Sequence, residues 1–590
     1  MSSDAASAIG LLELARRLPG MATELPGLAR GALGLLRKPE DPVSIGRVFQ
    51  DVARRQPHHP FIRFEGESIT YGQANARVNR YADVLARNGV RRGDVVAILV
   101  KNRPETLLVT LATVKLGAVA GMLNHNQRGD VLAHSLSLLD SRVLVVGEEC
   151  DEALASLDGE THAQTVLWSV ELDRAAEDAD ASNPAVCDRI QGTDRAFYIF
   201  TSGTTGLPKA SLMSHHRWLK SMSGIGAMGV RLRRSDTLYC PLPLYHNNAL
   251  TVSLSSVLFA GATFAIGRNF SASRFWDDAK GNQATAFVYI GEVCRYLLNQ
   301  PPTPADRDND IRLVVGNGLR PEIWTEFTER FGIDRVAEFY GASECNIAFI
   351  NALGVERTAG LCPLPYAVVE FDPDSGRARR AADGRLTRVG TGEVGLLLSK
   401  VTDRSPFDGY TDPEATENKL VRDGFENGDC WFDTGDLVLR QGFMHVAFVD
   451  RLGDTFRWKG ENVATTEVEG ALSAYRAIEQ SVAYGVAIPG ADGKAGMAAV
   501  TLRPGHQFDG HRLATILFDR LPGYAIPLFV RVVDSLEVTS TFKSRKVDLC
   551  QEGYSSTVER LYVLAGRTGG FVPAYDGYAR AVAEGDAPGA

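Results

Sequence analysis

Thr201-Ser202-Gly203-Thr204-Thr205-Gly206-Leu207-Pro208-Lys209-Ala210 comes directly after an apolar run at residues 196–200. The run reads as a buried strand, and the stretch after it as a loop suited to a polyphosphate. Glycines 203 and 206 let the backbone approach an anion closely. Ser and Thr hydroxyls add donors, and Lys209 adds a positive charge. The spacing does not fit the nucleoside-triphosphatase loop, because Ala210 follows the lysine and the glycines are misplaced. The ordinary alternative is a Ser/Thr/Gly surface linker. Its position at the end of a buried strand, and its Pro-Lys ending, count against that.

Working outward, strand-like runs at 69–71, 95–100, 143–146, 263–266, 286–290, 313–315 and 335–340 alternate with helical spacing. Ala74, Val78, Tyr81 and Leu85 recur on one helical face, and residues 107–116 form another apolar helix. Such alternation predicts βαβ units and an α/β fold. We expect a large N-terminal α/β body of several subdomains with mixed sheets over 45–450. It ends in a polar, Gly-rich stretch at 371–392 and strands at 394–399 and 444–449. A smaller C-terminal α+β domain is expected over 451–570, with its own helix at 466–474 and strands at 481–488 and 498–502. A polar, Gly/Ala-rich tail at 571–590 completes the chain.

The 590 residues are 44% hydrophobic and 23% charged, ordinary values for a globular protein. The net charge of -9 argues against a nucleic-acid binder, which needs clustered Lys and Arg. Eight scattered cysteines suggest neither a zinc ribbon nor a disulfide framework, and fit a reducing cytoplasm. No stretch reaches the roughly 18 apolar residues of a membrane span. Residues 1–44 are an apolar-rich lead-in, with Leu11, Leu14, Ala15 and Leu18 at helical spacing and prolines 19 and 26 dividing it. Two readings stay open: a surface-lying membrane attachment at the inner face of the membrane, or a helical lead-in packed on the protein itself.

Further motifs follow in order. Phe339-Tyr340-Gly341-Ala342-Ser343-Glu344 closes a strand, and Gly316-Asn317-Gly318-Leu319-Arg320-Pro321 precedes it. Tyr245-His246-Asn247-Asn248 comes earlier still. Trp431-Phe432-Asp433-Thr434-Gly435-Asp436-Leu437 and Asp450-Arg451-Leu452-Gly453-Asp454 come later. Then come Phe456-Arg457-Trp458-Lys459-Gly460-Glu461-Asn462-Val463 and Thr539-Ser540-Thr541-Phe542-Lys543-Ser544-Arg545-Lys546. Taken alone, Asp-Thr-Gly-Asp would be a turn and a C-terminal lysine an exposed charge.

Taken together and in this order, the motifs resemble the acyl-adenylate-forming superfamily over about residues 45–565. The Thr-Phe-Lys form and the 450–462 run resemble its fatty acid transport protein/very-long-chain acyl-CoA synthetase branch. The resemblance implies a mobile C-terminal domain and an AMP-forming ligase that joins a long-chain or very-long-chain fatty acid to coenzyme A. ATP and coenzyme A would be substrates, and Mg²⁺ the cofactor, bound by Glu344. Residues 201–206 and Lys209 would hold phosphates, with Ser343 where most relatives have Thr. Gly316, Asn317 and Gly318 would border the adenine, Phe339, Tyr340 and Gly341 would bind ATP or AMP, and Asp436 and Arg451 would bind the ribose. His246, Trp458, Lys459 and Gly460 would lie on the acyl and coenzyme A path. Lys543 would be the catalytic lysine, with Lys546 as the alternative three residues on.

In the implied chemistry, carboxylate attacks the α-phosphorus of ATP and expels pyrophosphate, and the thiol then displaces AMP. Local positive charge is required because both reactants of the first step are anions. Two alternatives remain: a lipid-binding or transport-coupling protein with a vestigial nucleotide site, and a ligase that hands the acyl group to a carrier protein. Acyl chain length and oligomeric state leave no motif.

Overall fold

The structure is a computed structural model. It describes residues 8–17, 24–157, 159, 161–201, 207–341, 345–372, 375–410, 412–459, 461–491, 493–536, 546–554 and 560–584.

Two sheets build the large body. In the first, Ala163–Trp168, Ser141–Val146, Val95–Leu99, Val119–Met122 and Arg195–Thr201 run parallel, and Lys209–Ser214 returns antiparallel at the edge. The second contains a parallel block, Thr263–Ile266, Thr237–Cys240, Ala286–Ile290, Leu313–Asn317 and Arg335–Tyr340. It continues antiparallel through Phe349–Ile350 and Gly360–Leu361 to the long hairpin of Cys430–Gly442 and His445–Arg451. Strands covered on both faces need apolar residues throughout, and Ala286–Ile290 is buried at every position.

Helix starts follow their caps. Ser44 accepts from the Arg47 N–H ahead of the helix Ile45–Arg55. Thr70 and Gln73 form a reciprocal capping box ahead of Tyr71–Arg87. The sequence does not disclose two π-helical segments, Met222–Val230 and Asn248–Ser253. The first is rich in glycine, a weak helix former. It is sustained by packing against the helix Leu25–Leu35 and the helix Leu254–Ala260.

The small domain has its own core and a five-stranded sheet, ordered Ile478–Ala487, Lys494–Leu502, Phe529–Val532, Leu561–Leu564 and Phe571–Pro573. The sheet therefore extends into the stretch that composition sets apart as a tail. Tyr578, on the helix Tyr578–Glu584, is buried and donates to the Leu564 carbonyl. Residues 585–590 lie outside the described residues.

Helix Leu25–Leu35 packs on the body, as the lead-in reading expected, and Glu24 pairs with Arg231 at 2.5 Å. Leu25 and Leu33 on its outer side and Leu36 at its end are 60%, 67% and 69% exposed. Among the described residues, no helix is long and apolar enough to cross a membrane.

Candidate active site

A cleft of about 2740 Å³ opens at the carboxyl ends of the parallel block, where Ile290, Asn317, Gly318, Phe339, Tyr340 and Gly341 form its wall. Open α/β sheets place ligands at this end of their strands. Ordinary small-molecule pockets measure about 300–1,000 Å³. This cleft therefore has room for more than one substrate.

Asp436 lines the cleft, 3% exposed. Tyr340 donates its hydroxyl to Asp436 Oδ2 at 2.6 Å. Arg451 Nε lies 3.4 Å from Asp436 Oδ1, because the hairpin register sets the two residues opposite each other. Thr434 Oγ1 accepts the Asp436 N–H at 3.1 Å and donates to the Leu397 carbonyl at 2.8 Å. The Asp-Thr-Gly-Asp sequence is thus a bulged strand segment whose turn-forming residues fix a buried carboxylate. Burial pushes the neighbouring Asp433 carboxyl up, opposed by Lys419.

The Gly316–Asn317–Gly318 segment ends its strand beneath a group that the motifs did not single out. Glu338 Oε1 accepts the Gly318 N–H at 2.5 Å and the Leu319 N–H at 3.3 Å, while Tyr289 donates its hydroxyl to the other oxygen. Burial raises the Glu338 carboxyl to about 8, against the lowering effect of these bonds. A lone acid among the otherwise apolar positions 336–340 of the strand Arg335–Tyr340 was the available signal, because a buried charge needs partners. Asn317 accepts from Asn248 at 3.0 Å, which joins this loop to the second π-helix.

Lys209 begins its strand opposite Thr201 and places its ammonium 5.9 Å from the Tyr410 ring centre. Both residues border the cleft. His246 also lines it, beside Tyr245 with ring centroids 4.5 Å apart. Residues 202–206, Ser343, Glu344, Gly460 and Lys543 lie outside the described residues, as does the side chain of Thr201.

The small domain contributes the helix Thr465–Ser473 to the wall. Arg320, next to the glycine loop, pairs with Glu469 on this helix at 3.1 Å and lies 3.8 Å from Glu292. Lys546 lies 3.4 Å from the same Glu469 and donates to Thr465 Oγ1 at 2.8 Å. Gln480 donates to the Tyr296 hydroxyl at 2.8 Å, and Arg503 to Asn299 at 2.6 Å. Trp458 and Lys459, expected on the coenzyme A path, do not border the cleft in this arrangement. Their hairpin packs on the small sheet, with Trp458 buried in that core and Lys459 exposed at the turn.

Residues 49–386 match the family model described as AMP-binding enzyme, and residues 467–543 match that of the AMP-binding enzyme C-terminal domain. The chain belongs to the AMP-binding enzyme family. Within that family it is 57% identical over 584 residues to a medium/long-chain-fatty-acid–CoA ligase, FadD6, of Mycobacterium tuberculosis, with 98% of each chain covered. It is 38% identical to long-chain fatty acid transport protein 2 of Rattus norvegicus, covering 90% of this chain and 89% of that one. A solved ATP-bound RpMatB-BxBclM chimera superposes with a TM-score of 0.73 at 25% identity, over 86% of this chain and 98% of the other. The family match places the expected α/β body and C-terminal domain in the order that the motifs predicted.

Proposed function

We propose that the chain is an AMP-forming ligase that joins medium- to long-chain fatty acids to coenzyme A in two steps. The observation that carries this reading is the 57% identity, over 98% of both chains, to a ligase named for that reaction. A carboxylate cannot acylate a thiol directly, because oxide would have to leave. Adenylation supplies AMP as a leaving group.

In the first step the fatty carboxylate attacks the α-phosphorus of ATP and pyrophosphate departs. Asp436 and Arg451 hold the ribose, and the Gly316–Gly318 backbone and Tyr340 border the adenine. Residues 201–206, Ser343 and Lys209 donate to phosphate oxygens, and Lys543 stabilises their developing charge. Among the described residues no group of three or more His, Cys, Asp or Glu side chains could hold a metal ion. Mg²⁺ commonly binds one or two carboxylates plus substrate phosphates rather than a protein cage. Glu344 would hold it, and it would neutralise phosphate charge.

In the second step the thiol attacks the acyl-AMP carbonyl and AMP leaves. We assign this step to a second arrangement, in which the segment after Arg451 turns and Trp458-Lys459-Gly460 replaces the helix Thr465–Ser473 at the cleft, with His246 beside the acyl path. The exposed Leu25, Leu33 and Leu36, with Arg30 and Lys38 beside them, would rest on an anionic membrane surface from the cytoplasmic side.

The experiment is AMP release from ATP with Mg²⁺, a panel of carboxylic acids, and coenzyme A present or absent. Fatty-acid-dependent AMP formation, with acyl-CoA appearing only when the thiol is added, supports the reading. No AMP with any acid overturns it.

A further inference from the structure

Helix Leu25–Leu35 precedes residue 49, where the family match begins. It is nevertheless fitted closely to the π-helix Met222–Val230. A Cβ added to Gly31 would approach the Ala227 methyl to 2.7 Å, and one on Gly34 would overlap Ser223. Only glycine at both positions allows this approach, and the Glu24–Arg231 ion pair fixes the helix at its start.

The close fit brings Leu35 into the wall of the cleft, beside Gly224, Ile225 and Met228. Val252, on the second π-helix, and Ile350 line the same cleft. These residues are apolar, whereas Asp436, Arg451, Glu338 and Lys546, which also line the cleft, are ionisable, as are Arg217 and Lys220. A π-helix places its residues out of ordinary α-helical register and is frequent at functional sites. Here it turns Gly224 towards Leu35. A Cβ on Gly224 would meet only Leu35 Cδ2, at an ordinary contact distance of 3.7 Å. Larger side chains therefore have room to grow into the cleft.

We propose that the helix Leu25–Leu35 closes the acyl end of the substrate cleft, and that the facing pair Leu35 and Gly224 sets the longest chain the enzyme accepts. This rests on the reading of the protein as a fatty acid–CoA ligase. Short acyl chains end before the pair. Long ones reach it and end against Leu35 and the bare backbone of Gly224. The N-terminal helix is thus part of the substrate site.

The test measures kcat/KM for AMP formation with octanoate, dodecanoate, palmitate and stearate in the full-length protein and in Gly224→Leu, Leu35→Trp and Leu35→Ala. Steric loss of a chain end in an apolar pocket should lower kcat/KM for palmitate and stearate about 10-fold or more in Gly224→Leu and Leu35→Trp. Octanoate and the KM for ATP should stay near wild type, which also reports an intact fold. Leu35→Ala added to Gly224→Leu should recover part of the long-chain activity. An unchanged chain-length profile overturns the proposal, and so does an equal fall for every acid, which would mark this part of the cleft as an entry route. Both outcomes leave acid-dependent AMP formation in the wild type intact, and are thereby distinct from failure of the ligase reading.

Discussion

The hydroxyl of Tyr340 donates to Asp436 across 2.6 Å, tying the end of a parallel strand to a carboxylate on the antiparallel hairpin. In the proposed reading one residue borders the adenine and the other the ribose, so the bond would fix the distance between two parts of a single nucleotide. A hydrogen bond to a charged group contributes about 1.5–3 kcal/mol, so Tyr340→Phe should raise the KM for ATP about 10-fold or more. The KM for the fatty acid should hardly move. Pyrophosphate exchange at varied ATP checks this, and an unaltered ATP dependence would remove the positioning role of Tyr340.

Glu338 gives a pH dependence of known sign. Its carboxyl titrates near 8 in the fold, against an ordinary value of 4.5, so the native state holds this proton more tightly than the unfolded chain does. Its contribution to stability is complete below the ordinary value and is lost as pH rises towards 8. Glu338→Gln keeps an oxygen acceptor for Gly318 and Leu319 and cannot ionise. The melting temperature of wild type should therefore fall relative to Glu338→Gln between pH 5 and pH 8.5. Parallel melting curves across that range would contradict the assignment.

The two C-terminal lysines should separate by half-reaction. Lys546 is held by Thr465 at 2.8 Å and Glu469 at 3.4 Å. Those partners suit a residue that seats the small domain. Removing a positioned charge-stabilising group typically costs about 10²- to 10³-fold, so Lys543→Ala should lose that much acyl-AMP formation. It should retain thioester formation from supplied acyl-AMP. Lys546→Ala should lose far less of the first step. Single-turnover assays of each half-reaction decide, and a reversed order would move the catalytic role three residues along.

The strand ends and the Asp-Thr-Gly-Asp segment were legible because local sequence dictates them. Glycines, a strand terminus and short polar side chains constrain the backbone within a few residues. Glu338 was harder to see, since its three partners come from positions 289, 318 and 319 and only the fold assembles them. The Arg320–Glu469 pair joins residues 149 apart and carries no local pattern. The π-helix Met222–Val230 runs against its own composition, because three glycines within Gly224–Gly229 read as a weak helix while tertiary contact sustains one. Leu35 belongs to a segment whose apolar periodicity was plain, although its inner neighbour was not.

The seating of Gly31 and Gly34 on the π-helix changes what counts as the smallest working unit of this protein. A chain begun at residue 44, whose side chain caps the helix Ile45–Arg55, would keep every residue proposed above to bind the nucleotide. It would also lose one side of the hydrocarbon vessel and admit water along its length. Trimming of that kind, often chosen to improve solubility, would leave an adenylating enzyme with a leaking floor.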